Sequence, residues 1–296
     1  MDLTIILVHY KSDHLKLKTC LESINSKSEV IIIDHSQDLD IKNLKLKNNL
    51  NINIINNENN GNGGGINCGL KNSKTNYVLY LDIDTRLPSN FFTKIEEAVN
   101  KVNDFAIIAP KIKNFYNENK INLYGNLSKS RFYYNKIFFN LKKPNQKFNN
   151  IKEVYFVSGS IMLLNKKIIE QKKIFFDENI FIYFEEDDFF HRCFKSNTKI
   201  YLIDDLEADH FDGSIKDGSI NYECFKKWHW EYSKYYFFNK HYNKFLIFLI
   251  ALKNISRLFI KMLFFYFINK KKTQICMSRL NGISSYYLNK KCNINY

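Results

Sequence analysis

Three groups of residues have types and spacings that suit chemistry. Asp82-Ile83-Asp84 sets two carboxylates two positions apart. In an extended segment residues i and i+2 project to the same side, so both acids would face one point. Two such carboxylates raise one another's pKa unless a cation lies between them. Mn2+ or Mg2+, hard ions with oxygen ligands, suits that place when a diphosphate supplies further oxygens. A solvated loop with two acids is the plainer alternative. The second group is Glu185-Glu186-Asp187-Asp188, flanked by Phe184, Phe189 and Phe190. Acids in the first turn of a helix are favoured by its dipole, which accounts for one or two of them. Apolar neighbours draw four toward partial burial, where a carboxylate can take a proton from a hydroxyl. The third is His210, in Asp209-His210-Phe211-Asp212-Gly213-Ser214. A lone histidine is commonly structural, but a neutral imidazole is also a good extra metal ligand.

The elements that must position these groups can be read from apolar periodicity. Buried strands are expected over 3–10, 30–33, 52–55, 77–81 and 105–109, with helices over 13–24, 65–72 and 90–102. Short apolar strands alternating with helices predict a parallel sheet covered on both faces, with ligands beyond the C-terminal strand ends. Asp34 ends the second strand, where it either caps a turn or meets a ligand. The third strand feeds the run Gly61, Gly63, Gly64 and Gly65. That run lacks the Lys-Ser/Thr of a P-loop and follows the wrong strand for a dinucleotide fingerprint. It reads as a flexible turn, or as a place where a nucleotide lies close to backbone N–H groups at the start of the 65–72 helix. Residues 112–150 predict a hairpin and an excursion over the sheet. A strand over 154–164 is interrupted at Ser158-Gly159-Ser160, another covers 199–203, and a long helical tail starts near Asn221.

Charge is unevenly spread. The 296 residues hold 44 Lys+Arg and 30 Asp+Glu, a net charge of +14. Twelve of the basic residues, and no acid, follow Glu231, so the rest of the chain is nearly neutral. A nucleic-acid role for the body is therefore not expected. A 45% hydrophobic, 16% aromatic composition excludes disorder. The six cysteines form no CxxC pair, and Met1-Asp2 runs straight into a short apolar stretch unlike a signal peptide, which points to a reducing cytosol. Residues 245–268 are apolar except for Lys253, Arg257 and Lys261, one stripe at i, i+4 and i+8 with Asn254 alongside. A spanning helix would carry three cations at roughly 2.5–3.5 kcal/mol each. Lying in the interface costs less, and Lys270-Lys271-Lys272 adds attraction to anionic lipid. Peripheral attachment to the inner face of the cell membrane is expected. Packing on the protein's own core, or assembly into a homo-oligomer, is the alternative.

Seven strings, in order, resemble the family 2 glycosyltransferases, particularly their bacterial rhamnosyltransferase-like branch. They are IILVHYK at 5–11, Ile32–Asp34, NGNGGGINCG at 60–69, YLDIDT at 80–85, SGSIMLL at 158–164, FDENIFIYFEEDDFFHR at 176–192 and HFDGS at 210–214. The resemblance implies a GT-A fold, an α/β Rossmann-like mixed sheet with helices on both faces. A nucleotide-sugar-binding and catalytic domain would cover 1–215, and a basic helical tail 216–296. Asp34 would bond a pyrimidine base, and Asn60, Gly64, Asn67 and Asp82 would line the nucleotide sugar. Asp82 and Asp84 would be the DxD pair, with Asp84 the more direct ligand, and His210 would complete a Mn2+ or Mg2+ site. The family's usual Glu-Asp-x-Asp before an Arg has its first Asp as base. Counting back from Arg192 puts Glu186 there, with Glu185 and Asp188 as neighbours, and a one-residue slip would make Asp187 the base. The implied reaction moves a sugar, rhamnose or another hexose, with inversion, from a nucleoside-diphosphate donor to a glycan or lipid-linked acceptor in bacterial surface-polysaccharide synthesis. The irregular acid string leaves a non-catalytic nucleotide-sugar or glycan binder as the other reading.

Overall fold

The computed structural model describes residues 1–114, 121–122, 147–148, 150–211, 213, 215 and 217–294. Most of the expected excursion over 112–150 lies outside the described residues. The chain divides into two compact units. The first joins Met1–Phe176 to Phe189–Lys216, and the second joins Asp177–Asp188 to Asp217–Tyr296. A single boundary after 215 does not describe this exchange, because 177–188 leaves the first unit.

The first unit is a sheet with helices on both faces. Its leading elements are β1 (Leu3–His9), α1 (His14–Glu22), β2 (Glu29–Asp34), β3 (Asn51–Asn56), α2 (Gly61–Asn72), β4 (Tyr77–Leu81), β5 (Thr85–Arg86), α3 (Phe91–Lys101) and β6 (Phe105–Asn114). Then follow β7 (Ile121–Asn122), β8 (Lys147–Phe148), β9 (Ile151–Val154), β10 (Ile161–Asn165), α4 (Lys166–Lys172), α5 (Glu185–Lys195) and β11 (Lys199–His210). Helix α5 gives its first turn to the second unit and the remainder to the first. The strand order is β3-β2-β1-β4-β10-β6-β11-β9-β8, with β5 beside β11 and β7 beside β6. β3, β2, β1 and β4 are mutually parallel. The sheet is not parallel throughout: β10 runs antiparallel to both β4 and β6. The interrupted strand expected over 154–164 is two strands, β9 and β10, with different neighbours.

Alternation along the strands separates two cores. Ile5, Leu7, Val30, Ile32, Leu79 and Leu81 face α1 and α3 through Leu17, Leu21, Phe91 and Ile95. Ile6, Ile31, Ile33, Val78 and Tyr80 face the other way, toward Ile66 and Leu70 of α2 and Phe189 of α5. Each such fully buried aliphatic side chain contributes about 1.5–3 kcal/mol. Helix α2 begins at Gly61, four residues before the expected start, so the glycine run is helix and not loop. Glycine is a poor helix former, but here packing overrides propensity. A Cβ on Gly65 would lie 2.7 Å from the methyls of Val8, and one on Gly69 2.9 Å from Ile6. Only bare backbone lets α2 approach β1 this closely.

Strand β11 runs seven residues past its expected end at Ile203. Its register against β6 slips between Ile203 and Glu207, beside Pro110. Proline has no N–H to give the ladder, and a bulge is where a strand tolerates it. Beyond the bulge β11 pairs with β5, Asp209 opposite Arg86 and His210 opposite Thr85.

The second unit is built on three helices, α6 (Ile220–His241), α7 (Lys244–Tyr266) and α8 (Lys270–Tyr287). Glu231 of α6 is fully buried and held by Lys234 and by Arg279 of α8, whose Nε is 2.8 Å away. Pairing of this kind is what makes a buried charge tolerable. His229 packs among Phe181, Phe225 and Trp228, and burial pushes its pKa down to about 4, so it is neutral near pH 7. Helix α7 buries one line, Ile247, Ala251 and Leu258, and Asn254 beside that line donates to Tyr235 Oη. Phe245, Leu252, Phe259 and Leu263 fall on the opposite side and are exposed, with Lys253, Arg257 and Lys261 exposed along one flank.

Candidate functional site

Strand β4 ends at Leu81, and Asp82–Thr85 forms a turn, not the extended segment expected from sequence. Thr85 closes it, donating through N and Oγ1 to the Asp82 carbonyl at 3.2 and 2.7 Å. Asp82 N donates to Ser160 O of the segment before β10. Cys20 supports the turn from behind, within 3.5 Å of Thr85 Oγ1, its thiol kept neutral by burial that pushes the pKa up to about 12. The turn, together with the β5–β11 pairing, brings Asp82, Asp84 and His210 to one point. His210 Nε2 lies 3.1 Å from Asp84 Oδ1 and 3.8 Å from Asp82 Oδ2. Asp84 is buried, while Asp82 and His210 are partly open.

The donor set fits a hard divalent ion. Its ligand atoms lie within 4.8 Å of one another. Neighbouring ligands of an octahedral ion are about 3 Å apart when each is about 2.1 Å from the metal, close to the 3.1 Å between His210 and Asp84. Burial, reinforced by Asp84 and opposed by His210, pushes the Asp82 carboxyl up to about 6. Among the described residues no lysine or arginine pairs with either aspartate, so the pair lacks positive charge beyond what His210 carries when protonated. A cation would supply it.

Sequence reasoning missed Tyr80, which holds this cluster, and a separate group of two histidines and an acid. The buried Tyr80 hydroxyl lies 2.5 Å from Asp82 Oδ1 and 2.9 Å from Asn62 Oδ1, tying the acid to the first turn of α2. Its signal was the i, i+2 relation to Asp82 on a strand. A second group, His9, His14 and Asp38, lies beyond β1 and β2. Asp38 Oδ2 meets His14 Nε2 at 2.6 Å and His9 Nε2 at 3.2 Å. Burial works to raise the Asp38 pKa, but the bonds to His14, Asp40 N and His9 outweigh it and the net shift is down. Burial lowers that of His9. These residues stand 24 and 29 positions apart, beyond any local pattern.

The residues expected to line a nucleotide make bonds within the chain. Asp34 accepts from Ser36 N, Ser36 Oγ and Asp38 N at 2.7–2.9 Å, the turn-capping alternative. Asn67 engages Phe176 with both ends of its amide, donating to O at 2.9 Å and accepting from N at 3.0 Å. Asn60 sits at the N-cap of α2 without bonding its backbone, and Gly64 leaves room for it, since a Cβ there would be 2.3 Å from Asn60 Cγ. The first N–H of α2, that of Gly61, donates to Asn59 Oδ1 at 3.2 Å, and the N-terminus of a helix is a place that suits an anion.

In the second unit the four acids occupy the first turn of α5. Tyr183 and Phe184 before them both adopt left-handed backbone, φ 64° and 67°, a conformation costing of order 1–3 kcal/mol each. Packing of Phe184 against Trp230, Phe237 and Phe238 holds it there. Glu185, Asp187 and Asp188 are buried, and Glu186 alone of the four is half-buried. Asp188 Oδ1 meets both Lys240 Nζ and His241 Nε2 at 2.7 Å, which makes it an anchor for the turn.

Comparison with known proteins gives these features their context. Residues 4–172 match the family description "Glycosyl transferase family 2". The chain is 24% identical over 212 residues to the low-salt glycan biosynthesis hexosyltransferase Agl10 of Haloferax volcanii, covering 71% of this chain and 67% of that one. Among solved structures, GalNAc-T7 with UDP, GalNAc and Mn2+ superposes with a TM-score of 0.54 at 13% identity. That match covers 80% of this chain and 49% of the neighbour, so the chain spans about half its length. TarS 1-349 of S. aureus with UDP-GlcNAc gives 0.53 at 13% identity, covering 98% of this chain and 93% of that one. These neighbours share the GT-A fold, the mixed sheet with helices on both faces described above. With more than half of its length matched by the family description, the chain belongs to glycosyl transferase family 2 and is a glycosyltransferase.

Proposed function

We propose that the protein transfers a hexose or deoxyhexose, with inversion, from a nucleoside-diphosphate donor to a glycan or lipid-linked acceptor in surface-polysaccharide synthesis. The observation that carries this reading is the meeting of Asp82, Asp84 and His210 at the end of β4 in a family 2 chain. Asp84 and His210 would hold Mn2+ or Mg2+ directly, with Asp82 completing the set and Tyr80 orienting it. When bound, the ion supplies positive charge against the leaving diphosphate. The first N–H groups of α2, with Asn60 and Gly64, would receive the donor, while Asp34 and Asn67 keep the surrounding backbone in place. Glu186 takes the proton from the acceptor hydroxyl; its oxygen bonds to the anomeric carbon as the carbon–oxygen bond to the diphosphate breaks. Among the four acids Glu186 is favoured by its partial exposure, and Asp188 positions the turn. Glu185 and Asp187 are buried beside it. The rhamnosyltransferase-like branch is part of this proposal and rests on the seven strings.

A panel of nucleotide sugars in a thermal-shift assay, with Mn2+ and with EDTA, tests the reading. Stabilisation by one of them that needs Mn2+ supports it, and equal stabilisation in EDTA contradicts it.

The proposal includes peripheral attachment to a membrane. No helix among the described residues is long and apolar enough to cross one. What supports attachment is α7, whose exposed Phe245, Leu252, Phe259 and Leu263 share the helix with Lys253, Arg257 and Lys261. Changing those three cations to Glu should release the protein from anionic vesicles, at about 1 kcal/mol per charge near the surface. Failure of the unaltered protein to sediment with such vesicles at low salt would contradict it.

A further inference from the structure

The second unit contains a cavity of about 700 Å³ with a mixed lining. Tyr232, Tyr236, Tyr286 and Tyr287 supply ring walls, and Phe245 and Phe248 of α7 extend them. Asn179, Asn239 and Asn289 add amides, Lys244 adds a cation, and none of the lining residues is acidic. Tyr286 meets Tyr232 at 79° and Tyr236 at 90°, and Phe248 meets Tyr287 at 79°. Tyr232 stacks on Trp228 at 11° and so has one face covered, while Tyr286 is half-buried and Tyr287 exposed, which leaves ring surface open to a ligand.

This lining matches one class of ligand better than others. A pyranose ring has a face of C–H groups, weakly positive, which suits the negative face of an aromatic ring. Its rim of hydroxyls suits amides and tyrosine oxygens, each of which both donates and accepts. An acyl chain would desolvate the amides without replacing their bonds. A nucleoside diphosphate would meet a single lysine.

The cavity is also joined to the acid turn within the same unit. Asp177 stands behind its wall, accepting from Tyr236 Oη at 3.0 Å and from Asn179 Nδ2 at 2.8 Å. Lys240 Nζ lies 2.6 Å from Asp177 and 2.7 Å from Asp188. One lysine therefore fixes both the cavity wall and the turn that carries Glu186. We propose that this cavity is an acceptor subsite that binds a sugar ring of the acceptor glycan. The proposal rests on the reading of the chain as a transferase with its base in the 185–188 turn.

Saturation-transfer NMR on the full chain, without donor or metal, tests it. The probes are methyl glycosides of glucose, galactose, mannose, rhamnose and N-acetylglucosamine, with their disaccharides. The expected result is binding of at least one probe with Kd on the order of 1 mM. Tyr286→Leu, Asn179→Ala and Tyr236→Phe should each weaken it, the first by about tenfold or more, taking ring contact as about 1.4 kcal/mol. Asn179→Ala is an exposed-site change and Tyr236→Phe keeps the ring, so the test does not depend on Tyr286→Leu folding. Three results would each overturn the proposal: no probe binding, unchanged binding in all three variants, or displacement of the sugar by a peptide or a fatty acid. Failure here, with Mn2+-dependent donor stabilisation intact, removes the subsite and leaves the transferase reading standing. Sugar binding without that stabilisation leaves the sugar site standing and removes the metal-dependent donor reading.

Discussion

At the end of β4, Asp82 and Asp84 face one another with His210 as their one basic partner among the described residues. In the first turn of α5, four consecutive acids stand in the field of a helix N-terminus, and the most buried, Asp188, takes both Lys240 and His241. The two carboxylates at the first place thus have no lysine or arginine beside them among the described residues, whereas Asp188 at the second has one. Counting acids does not identify a metal site. What matters is whether the protein itself has supplied the neutralising charge, and at Asp82 and Asp84 no lysine or arginine among the described residues does so.

The largest effect expected from this contrast is catalytic. Asp84→Ala should reduce sugar transfer by about 10²–10³-fold, as loss of charge stabilisation at a reacting group does. Its unfolding should be unchanged when followed both by far-UV circular dichroism, which reports the first unit as well, and by the fluorescence of Trp228 and Trp230, which lie in α6 of the second unit. A comparable loss of folding instead would make Asp84 a structural acid. Asp188→Ala should act the opposite way. Removing one member of a buried ion pair costs about 3–5 kcal/mol, so the same fluorescence should report a midpoint shift in urea. An unshifted midpoint would mean that Lys240 and His241 do not anchor the turn.

Glu186→Gln should slow transfer by about 10²-fold while donor affinity holds. If Asp187→Asn produces that loss and Glu186→Gln stays active, the base is Asp187. The smallest effect belongs to Tyr80→Phe, which removes one hydroxyl beside Asp82. It should weaken Mn2+ affinity by about tenfold, the lower end for outer partners of metal ligands, and leave stability near wild type. No change in Mn2+ affinity would remove Tyr80 from the account.

The sequence made the strands legible because each buried strand is a continuous apolar run, and Asp82 and Asp84 because they end one. His210 was visible as a residue but not as a neighbour. Its position depends on β11 continuing through a bulge opposite Pro110, where local pattern says the strand should stop. The glycine run reads from sequence as a turn or a nucleotide-binding segment leading into a helix at Gly65, and the contacts that pack it as helix, with Val8 and Ile6, come from another element. Asp188 and His241 are 53 positions apart, so nothing near either residue announces the pair. Local chemistry was readable; closure between distant segments was not.

The central claim is that Asp82, Asp84 and His210 hold a divalent cation that nucleotide binding requires. Calorimetric titration of UDP, dTDP and GDP into the wild-type chain with Mn2+, into the same chain with EDTA, and into Asp84→Ala with Mn2+ tests it most directly. The account predicts that one of these nucleotides binds with Mn2+ at least about 100-fold more tightly, near 2.7 kcal/mol, than in either of the other two titrations. Equal affinity in all three would contradict it.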